Sequence, residues 1–200
     1  LLDQIKKIFE IDFHSAEPGA ECGIVDTQTV KTTEKGGYSK VMMLLKKPGG
    51  RKRTILVDTQ GLLLAAEVTS AQKRDRHIFP ELLTHFSSKL PKQLHVWADL
   101  AYWGADYARE LQTKYGIDLE IVGTPRPKGY WGRKDAPEIK IEPRGFKVQK
   151  RRWVVERTFA WMGRNRRLCK DYEYLPENST AYLYLAMSGL MLRRIKKCLC

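Results

Sequence analysis

Residues 151–167 of this 200-residue chain, RRWVVERTFAWMGRNRR, combine arginines, tryptophans and a single glutamate at helical spacing. The pattern predicts a helix over 151–167 that carries Glu156. Two further acids close short apolar runs that are typical of strands, Asp26 in GIVDTQTVK and Asp99 in HVWADLAYW. An Asp on one strand, an Asp ending another and a Glu on a later helix can converge to hold two divalent metal ions about 4 Å apart, the geometry of in-line phosphoryl transfer. The three acids therefore predict a metal-dependent nuclease chemistry.

The order of predicted elements indicates an α/β fold. Strands are predicted over 22–30, 53–57, 62–68, 94–98 and 119–122, and helices over 70–90, 103–115, 151–167 and 180–197. Asp-Thr-Gln-Gly at 58–61 is typical of a hairpin turn between the second and third strands. Three early antiparallel strands followed by strand–helix alternation predict a mixed sheet with helices on its faces.

The charge distribution favours a nucleic-acid substrate. The formal net charge is +13, and residues 140–200 hold 15 Lys and Arg against 5 Asp and Glu. Such concentration is typical of a phosphate-facing surface, although a solubilising face is the alternative. No apolar run approaches the roughly 20 residues of a membrane-spanning helix. The four cysteines show no CxxC spacing, which favours free thiols in a reducing cytoplasm.

Four segments carry a resemblance to a known family: GIVDTQTVKTTEKGG, GRKRTILVDTQGLLL, WADLAYWG and RRWVVERTFAWMGRNRRLCKDYE. They resemble the catalytic core of bacterial insertion-sequence transposases of the DDE type, in the IS-five-like group, over roughly residues 20–197. The resemblance implies a ribonuclease H-like mixed sheet flanked by helices. It also implies cleavage and strand transfer of an insertion sequence with two Mg2+ (or Mn2+) ions, whose ligands are expected to be oxygen atoms.

Carried over position by position, the catalytic and metal-binding acids of the family fall on Asp26, Asp99 and Glu156. Asp26 is expected to bridge the two ions, while each of the other acids holds one. Arg152 matches an arginine one helical turn before the glutamate that is expected to contact DNA. The residues expected to bind DNA are Arg152, Arg157, Arg164, Arg166, Arg167 and Lys170.

The chain departs from the family pattern at two positions of the late helix. Gln149 and Gly163 stand where related transposases carry a tyrosine and a lysine, so those roles are not transferred; Arg164 could supply the missing cation. The tryptophans and phenylalanine of this helix are expected to lie mostly in the core, with one able to stack on an unpaired base instead. Tyr182, Tyr184, Leu185 and Met187 are expected to be packing residues.

Each acid has a structural alternative. Asp26 could belong to a turn at a strand end, Asp99 could cap the helix that follows it, and Glu156 could simply pair with Arg152 or Arg157. Asp58 is explained by turn chemistry. Asp75 is expected at the start of a helix, as an N-cap or first-turn acid.

The expected domains are an N-terminal helical remnant at 1–19 and a ribonuclease H-like DDE catalytic domain at 20–200. The expected partner is double-stranded DNA, both element ends and target, with no membrane; assembly on DNA as a homodimer stays open. The resemblance implies a bacterial, nucleoid-associated protein of the cytoplasm. About 20 residues before the first strand predict weak sequence preference. The apolar run at 39–48 predicts low activity, and an inactive DNA-binding remnant or a nuclease of the same fold remain alternatives.

Overall fold

The computed structural model describes residues 22–33, 50–123 and 151–199. The predicted helical remnant at 1–19, the apolar run at 39–48 and nearly all of the irregular connection at 123–147 lie outside the described residues.

A five-stranded mixed sheet forms the centre of the described structure. The strands are β1 (Cys22–Lys31), β2 (Gly50–Asp58), β3 (Leu63–Ser70), β4 (Leu94–Ala98) and β5 (Ile117–Ile121), in the order β3-β2-β1-β4-β5. β1, β4 and β5 run parallel, whereas β2 is antiparallel to both of its neighbours. The predicted α/β mixed sheet is confirmed.

Helices cover both faces of the sheet. They are α1 (Asp75–Phe86), α2 (Ala105–Tyr115), α3 (Arg152–Gly163) and α4 (Pro176–Leu199), with short 3-10 turns at Leu100–Tyr102 and Arg166–Leu168. Because successive strand residues point to opposite faces, alternate apolar residues build two cores. One core packs under α3 and α4, and the other packs under α1 and α2. No helix in the described ranges is long and apolar enough to cross a bilayer.

Several predicted boundaries differ from the structure by a few residues, including those of α3, α1 and β2. The helix predicted over 151–167 ends at Gly163, and a 3-10 turn follows in which the Asn165 side chain accepts from the amide of Arg167 at 3.1 Å. The helix predicted from residue 70 begins at Asp75. The first residue of β2 is Gly50, where an interruption was predicted; a Cβ there would lie 2.7 Å from the Val30 carbonyl oxygen, so only glycine allows this close approach of β1.

Two buried arginines of β2 hold the segment between α3 and α4 against the sheet. Arg53 donates to the carbonyls of Leu168 at 2.5 Å and Lys170 at 3.3 Å. Arg51 lies 3.2 Å from Asp171 Oδ1 and donates to Ser179 Oγ at 2.8 Å. Burial lowers the pKa of Arg53. These two basic residues therefore belong to the scaffold.

Candidate active site

Asp26 lies on β1, and Asp99 directly follows the neighbouring parallel strand β4 at the same end of the sheet. Ile24 on β1 pairs with Trp97 on β4, and each aspartate follows two residues later. Asp26 remains within β1 because that strand continues to pair with β2, whereas Asp99 is the first residue after β4. Sheet topology therefore brings together two acids that are 73 positions apart in the sequence.

Each aspartate has one carboxylate oxygen fixed by nearby backbone. Asp26 Oδ1 accepts from the amide of Thr27 at 2.7 Å, and Asp99 Oδ1 accepts from the amide of Ala101 at 2.8 Å. Asp99 thereby caps the 3-10 turn Leu100–Tyr102, and the helix α2 begins only later, at Ala105. The alternative in which Asp99 caps the following helix is therefore wrong for α2, whose N-cap is Gly104; Asp99 caps the 3-10 turn with one of its two oxygens.

Helix α3 adds Arg152 and Glu156 to the same cluster. Arg152 Nη2 lies 3.6 Å from Asp26 Oδ2 and 3.8 Å from Glu156 Oε1. The two carboxylate oxygens are therefore at most about 7.4 Å apart, since 3.6 and 3.8 Å set the limit. Both contacts are longer than good charge-assisted hydrogen bonds, which measure about 2.7–2.9 Å. The Glu156 side chain is exposed, so the guanidinium bridges the acids loosely.

The pKa of Asp26 is shifted by its burial and by the charges around it. Burial raises the pKa of Asp26, and the negative charges of Asp99 and Glu156 raise it further. The Thr27 amide and the Arg152 guanidinium lower it but do not reverse the shift. A cluster of carboxylates that one guanidinium compensates incompletely has the chemistry to attract a cation.

The carboxylate oxygens of the three acids are suitable ligands for a hard divalent ion. The three side chains do not converge on one point in this structure. Carboxylate oxygens are the ligands preferred by Mg2+ and Mn2+. Within residues 22–33, 50–123 and 151–196, no three His, Cys, Asp or Glu side chains lie close enough together to hold one ion jointly. The Arg152 guanidinium lies between two of the three acids instead.

The family model of the transposase DDE domain matches residues 17–190. The chain belongs to the DDE transposase domain family. The family assignment confirms the predicted class of enzyme, one that performs metal-dependent phosphoryl transfer on DNA. No curated protein is significantly similar to the chain.

Solved structures with a related shape include viral integrases and another transposase. The HTLV-2 integrase catalytic core domain, solved with magnesium, is 18% identical over 84% of this chain and 83% of its own, with a TM-score of 0.45. A chain of the simian T-cell lymphotropic virus intasome is 15% identical over 84% and 46%, with a TM-score of 0.44. The Mos1 transposase is 12% identical over 60% and 40%, with a TM-score of 0.34.

In the DDE domain, Arg157 packs within the protein. Its guanidinium carbon lies 4.5 Å from the ring centre of Trp153 and 4.7 Å from that of Trp161, and Nη2 donates to the Gln60 carbonyl at 2.8 Å. Asp58 Oδ1 accepts from the amides of Gln60 and Leu62 at 2.8 Å each, which accounts for its role in the turn. Arg157 therefore holds this turn against α3, a contact that sequence analysis did not foresee.

The other basic residues predicted to bind DNA fall into two groups. Arg167 is paired with Glu173 at 2.6 Å and packs on the ring of Tyr182 at 4.9 Å. The side chains of the second group are exposed and form no ion pair with the described part of the chain. They are Arg164, Arg166 and Lys170. Arg164 also lines a groove of about 210 Å³ between α3 and α4.

The exposed apolar residues include two that were expected to pack. Phe159 is buried, whereas 54% of Trp153 is exposed and the Arg157 guanidinium lies over its ring. Leu185 on α4 is 65% exposed, so the prediction that it packs is wrong. Thr27 and Tyr102 had no role predicted from the sequence; their hydroxyl groups lie 3.0 Å apart and connect the residue after Asp26 to the turn after Asp99.

Proposed function

We propose that this chain cleaves DNA at the ends of an insertion sequence of the IS-five-like group and joins the freed 3′ ends to target DNA. The observation that carries the proposal is the acidic cluster, in which Asp26 and Glu156 share the Arg152 guanidinium and Asp99 raises the pKa of Asp26. Three elements far apart in sequence supply these acids. Such a cluster costs stability unless it binds a cation, which favours a functional explanation.

Asp26, Asp99 and Glu156 are proposed to hold two Mg2+ (or Mn2+) ions, with Asp26 shared. Bound there, the ions would supply Lewis-acid stabilisation of charge on the oxygens of the reacting phosphate. The protein contributes orientation, because the backbone amides of Thr27 and Ala101 each fix one carboxylate oxygen. The exposed side chain of Glu156 is free to adjust its position when an ion binds.

Arg152 is proposed to exchange partners when DNA arrives. Its contacts with Asp26 and Glu156 measure 3.6 and 3.8 Å, longer than good charge-assisted hydrogen bonds, and 25% of its side chain is exposed. With a cation held by the acids, the Arg152 guanidinium would no longer be needed to offset their charge and would contact a phosphate oxygen instead. Arg152 would then serve first as a stand-in cation and afterwards as a DNA ligand.

Arg164, Arg166 and Lys170 are proposed to contact the backbone of double-stranded DNA. They are exposed and lie directly after the helix that carries Glu156, so they extend the acidic centre with positive charge. The proposed partners are element ends and target DNA, with assembly as a homodimer on DNA. The proposed location is the nucleoid of a bacterial cytoplasm.

The test is a strand-transfer assay with precleaved element ends and Mg2+ or Mn2+, together with nicking of supercoiled plasmid. Asp26→Asn, Asp99→Asn and Glu156→Gln should each lower both activities at least about 100-fold, since each removes one ligand of the ions. Glu110→Gln, at an exposed acid on α2, is the matched control and should leave both activities unchanged.

The assay separates the proposal from its competitors. Nicking that never leads to joining would assign the chain as a nuclease. DNA binding with neither reaction would identify an inactive remnant. Full activity of the Asp26→Asn variant would show that the acidic cluster takes no part in the reaction.

A further inference from the structure

The two aspartates lie just beyond the point where β1 and β4 stop pairing. The parallel ladder runs over three Cα partners and ends with Ile24 opposite Trp97. Asp26 and Asp99 each follow two residues later, so this ladder does not set the distance between them. A contact beyond the end of the ladder would therefore add to the positioning of the two acid-bearing segments.

A side-chain bridge spans the gap on the opposite face of the sheet. The Tyr102 hydroxyl lies 3.0 Å from Thr27 Oγ1, which in turn lies 3.2 Å from Thr54 Oγ1 on β2. Thr27 directly follows Asp26. Tyr102 closes the 3-10 turn that Asp99 caps, and its amide donates to the Asp99 carbonyl at 3.2 Å. The bridge therefore joins the residue after one acid to the turn that begins with the other.

Tyr102 can hold Thr27 in place because its own side chain is fixed in the core. Its side chain is buried, and its ring meets that of Phe79 edge to face at a centroid distance of 5.8 Å. It belongs to the core under α1 and α2, which also contains Val25. Both ends of the bridge are thus anchored in one packed core.

We infer that the Tyr102–Thr27 hydrogen bond is a positioning contact that sets the separation of Asp26 and Asp99, and thereby the affinity of the acidic site for a divalent cation. The inference rests on the proposed function, in which both aspartates hold the ion. The orientation of each carboxylate follows the local backbone, because one oxygen accepts from an amide one or two residues later in the chain. A shift between the two segments would therefore move both carboxylates relative to each other.

The first test is a Mn2+ titration of the whole chain without DNA, followed by water-proton relaxation. Tyr102→Phe removes the hydroxyl and keeps the ring, and it should weaken Mn2+ binding about tenfold, the lower end of the usual effect of contacts that orient metal ligands. Tyr107→Phe is the matched control. Tyr107 is buried in the same core, and its hydroxyl has no hydrogen-bond partner among the described residues, so its loss should leave the affinity unchanged.

A second pair of variants tests the other end of the bridge. Thr27→Val should weaken Mn2+ binding as Tyr102→Phe does, whereas Thr27→Ser keeps the hydroxyl and should restore the affinity of the unmodified chain. The double variant Tyr102→Phe with Thr27→Val should bind no more weakly than Thr27→Val alone, because both changes remove the same bond. If Tyr102→Phe fails to fold, the contrast between Val and Ser at residue 27 decides the question.

Failure of the inference and failure of the proposed function give different results. If Asp26→Asn binds Mn2+ as well as the unmodified chain does, the proposed metal site is wrong. If Asp26→Asn loses the ion but Tyr102→Phe and Thr27→Val both keep full affinity, the positioning role is wrong and the site stands.

Discussion

Two of the arginine–aspartate pairs in the described part of the chain have opposite character. Arg51 and Asp171 are 3.2 Å apart with side chains only 5% and 1% exposed. Arg152 and Asp26 are 3.6 Å apart and more exposed, at 25% and 17%. Asp171 also accepts from Ser179 Oγ at 2.8 and 2.9 Å, whereas Asp26 accepts from a single backbone amide.

The difference separates a carboxylate that serves the fold from one that serves a site. A buried charge is tolerated when its hydrogen-bonding capacity is filled, as it is for Asp171. Asp26 is half satisfied, lies near two further acids and has a raised pKa. Such an arrangement lowers stability, and it is the pattern expected where a ligand completes the site.

The largest expected effect comes from breaking the buried pair. Arg51→Ala should lower the free energy of unfolding by about 3–5 kcal/mol, because it leaves the Asp171 charge buried without its partner. Denaturant unfolding would measure this loss. Arg109→Ala, which removes one member of an exposed pair with Asp106, is the control and should change stability by less than about 0.5 kcal/mol. Equal losses of stability for Arg51→Ala and Arg109→Ala would show that the buried pair contributes no more to the fold than an exposed one.

Removing the negative charge from the Arg152–Asp26 pair should raise the free energy of unfolding, whereas breaking the Arg51–Asp171 pair lowers it. Because the folded pKa of Asp26 is raised from 3.8, the ionised carboxylate destabilises the folded chain. The stability associated with its protonated form is fully present below pH 3.8 and is lost as the pH rises through the raised pKa. Asp26→Asn should therefore stabilise the metal-free protein at about pH 7, and the gain should vanish below pH 3.8.

Unfolding of both proteins in EDTA across this pH range would check the sign. A loss of stability in Asp26→Asn at neutral pH, comparable to that of Arg51→Ala, would mean that Asp26 serves the fold. Added Mn2+ provides an independent comparison, since a ligand that binds only the folded state stabilises it. It should stabilise the unmodified chain and not the variant.

The acidic site was more predictable from the sequence than the scaffold that holds it. The proximity of Asp26 and Asp99 could be expected because each follows a short apolar run, and neighbouring parallel strands align such runs; their role as metal ligands stays a prediction. The burial of Arg51 and Arg53 was not foreseen, because counting charges treats every arginine as a surface cation. Strand alternation does hold a clue: both residues lie on the same face as Ile55 in the core under α3 and α4.

Whereas the Arg152–Glu156 pair follows from a spacing of one helical turn, the Arg152–Asp26 contact and the Tyr102–Thr27 bridge had no comparable clue. Both depend on which side chains meet across elements that are distant in sequence, and neither hydrophobic periodicity nor turn chemistry reports this. The end of α3 was missed for a related reason. Arginines continue from 164 to 167, yet the Asn165 side chain caps a new turn there.

DNA binding can also distinguish arginines that are paired within the protein from exposed arginines that form no ion pair with the described residues. The expected changes in DNA affinity are smaller than the changes in stability above. Arg164→Ala and Arg166→Ala should each reduce the slope of log affinity against log salt by about 0.9, the value expected for each phosphate that the protein neutralises. Fluorescence anisotropy with a labelled duplex at several salt concentrations would measure the slope. Arg109→Ala changes the net charge equally and should leave the slope unchanged.

Arg167→Ala should have the smallest effect of this series. Hydrogen bonding to Glu173, together with its negative charge, raises the pKa of Arg167, so the arginine stays charged while a neighbouring carboxylate offsets it. A phosphate would have to compete with that carboxylate, so the slope should fall by clearly less than it does for Arg166→Ala, one position earlier. Glu173→Gln provides the converse variant: it frees the guanidinium and should steepen the salt dependence. Equal reductions of the slope by Arg167→Ala and Arg166→Ala would contradict this prediction. They would show that an ion pair within the protein does not prevent an exposed arginine from contacting DNA.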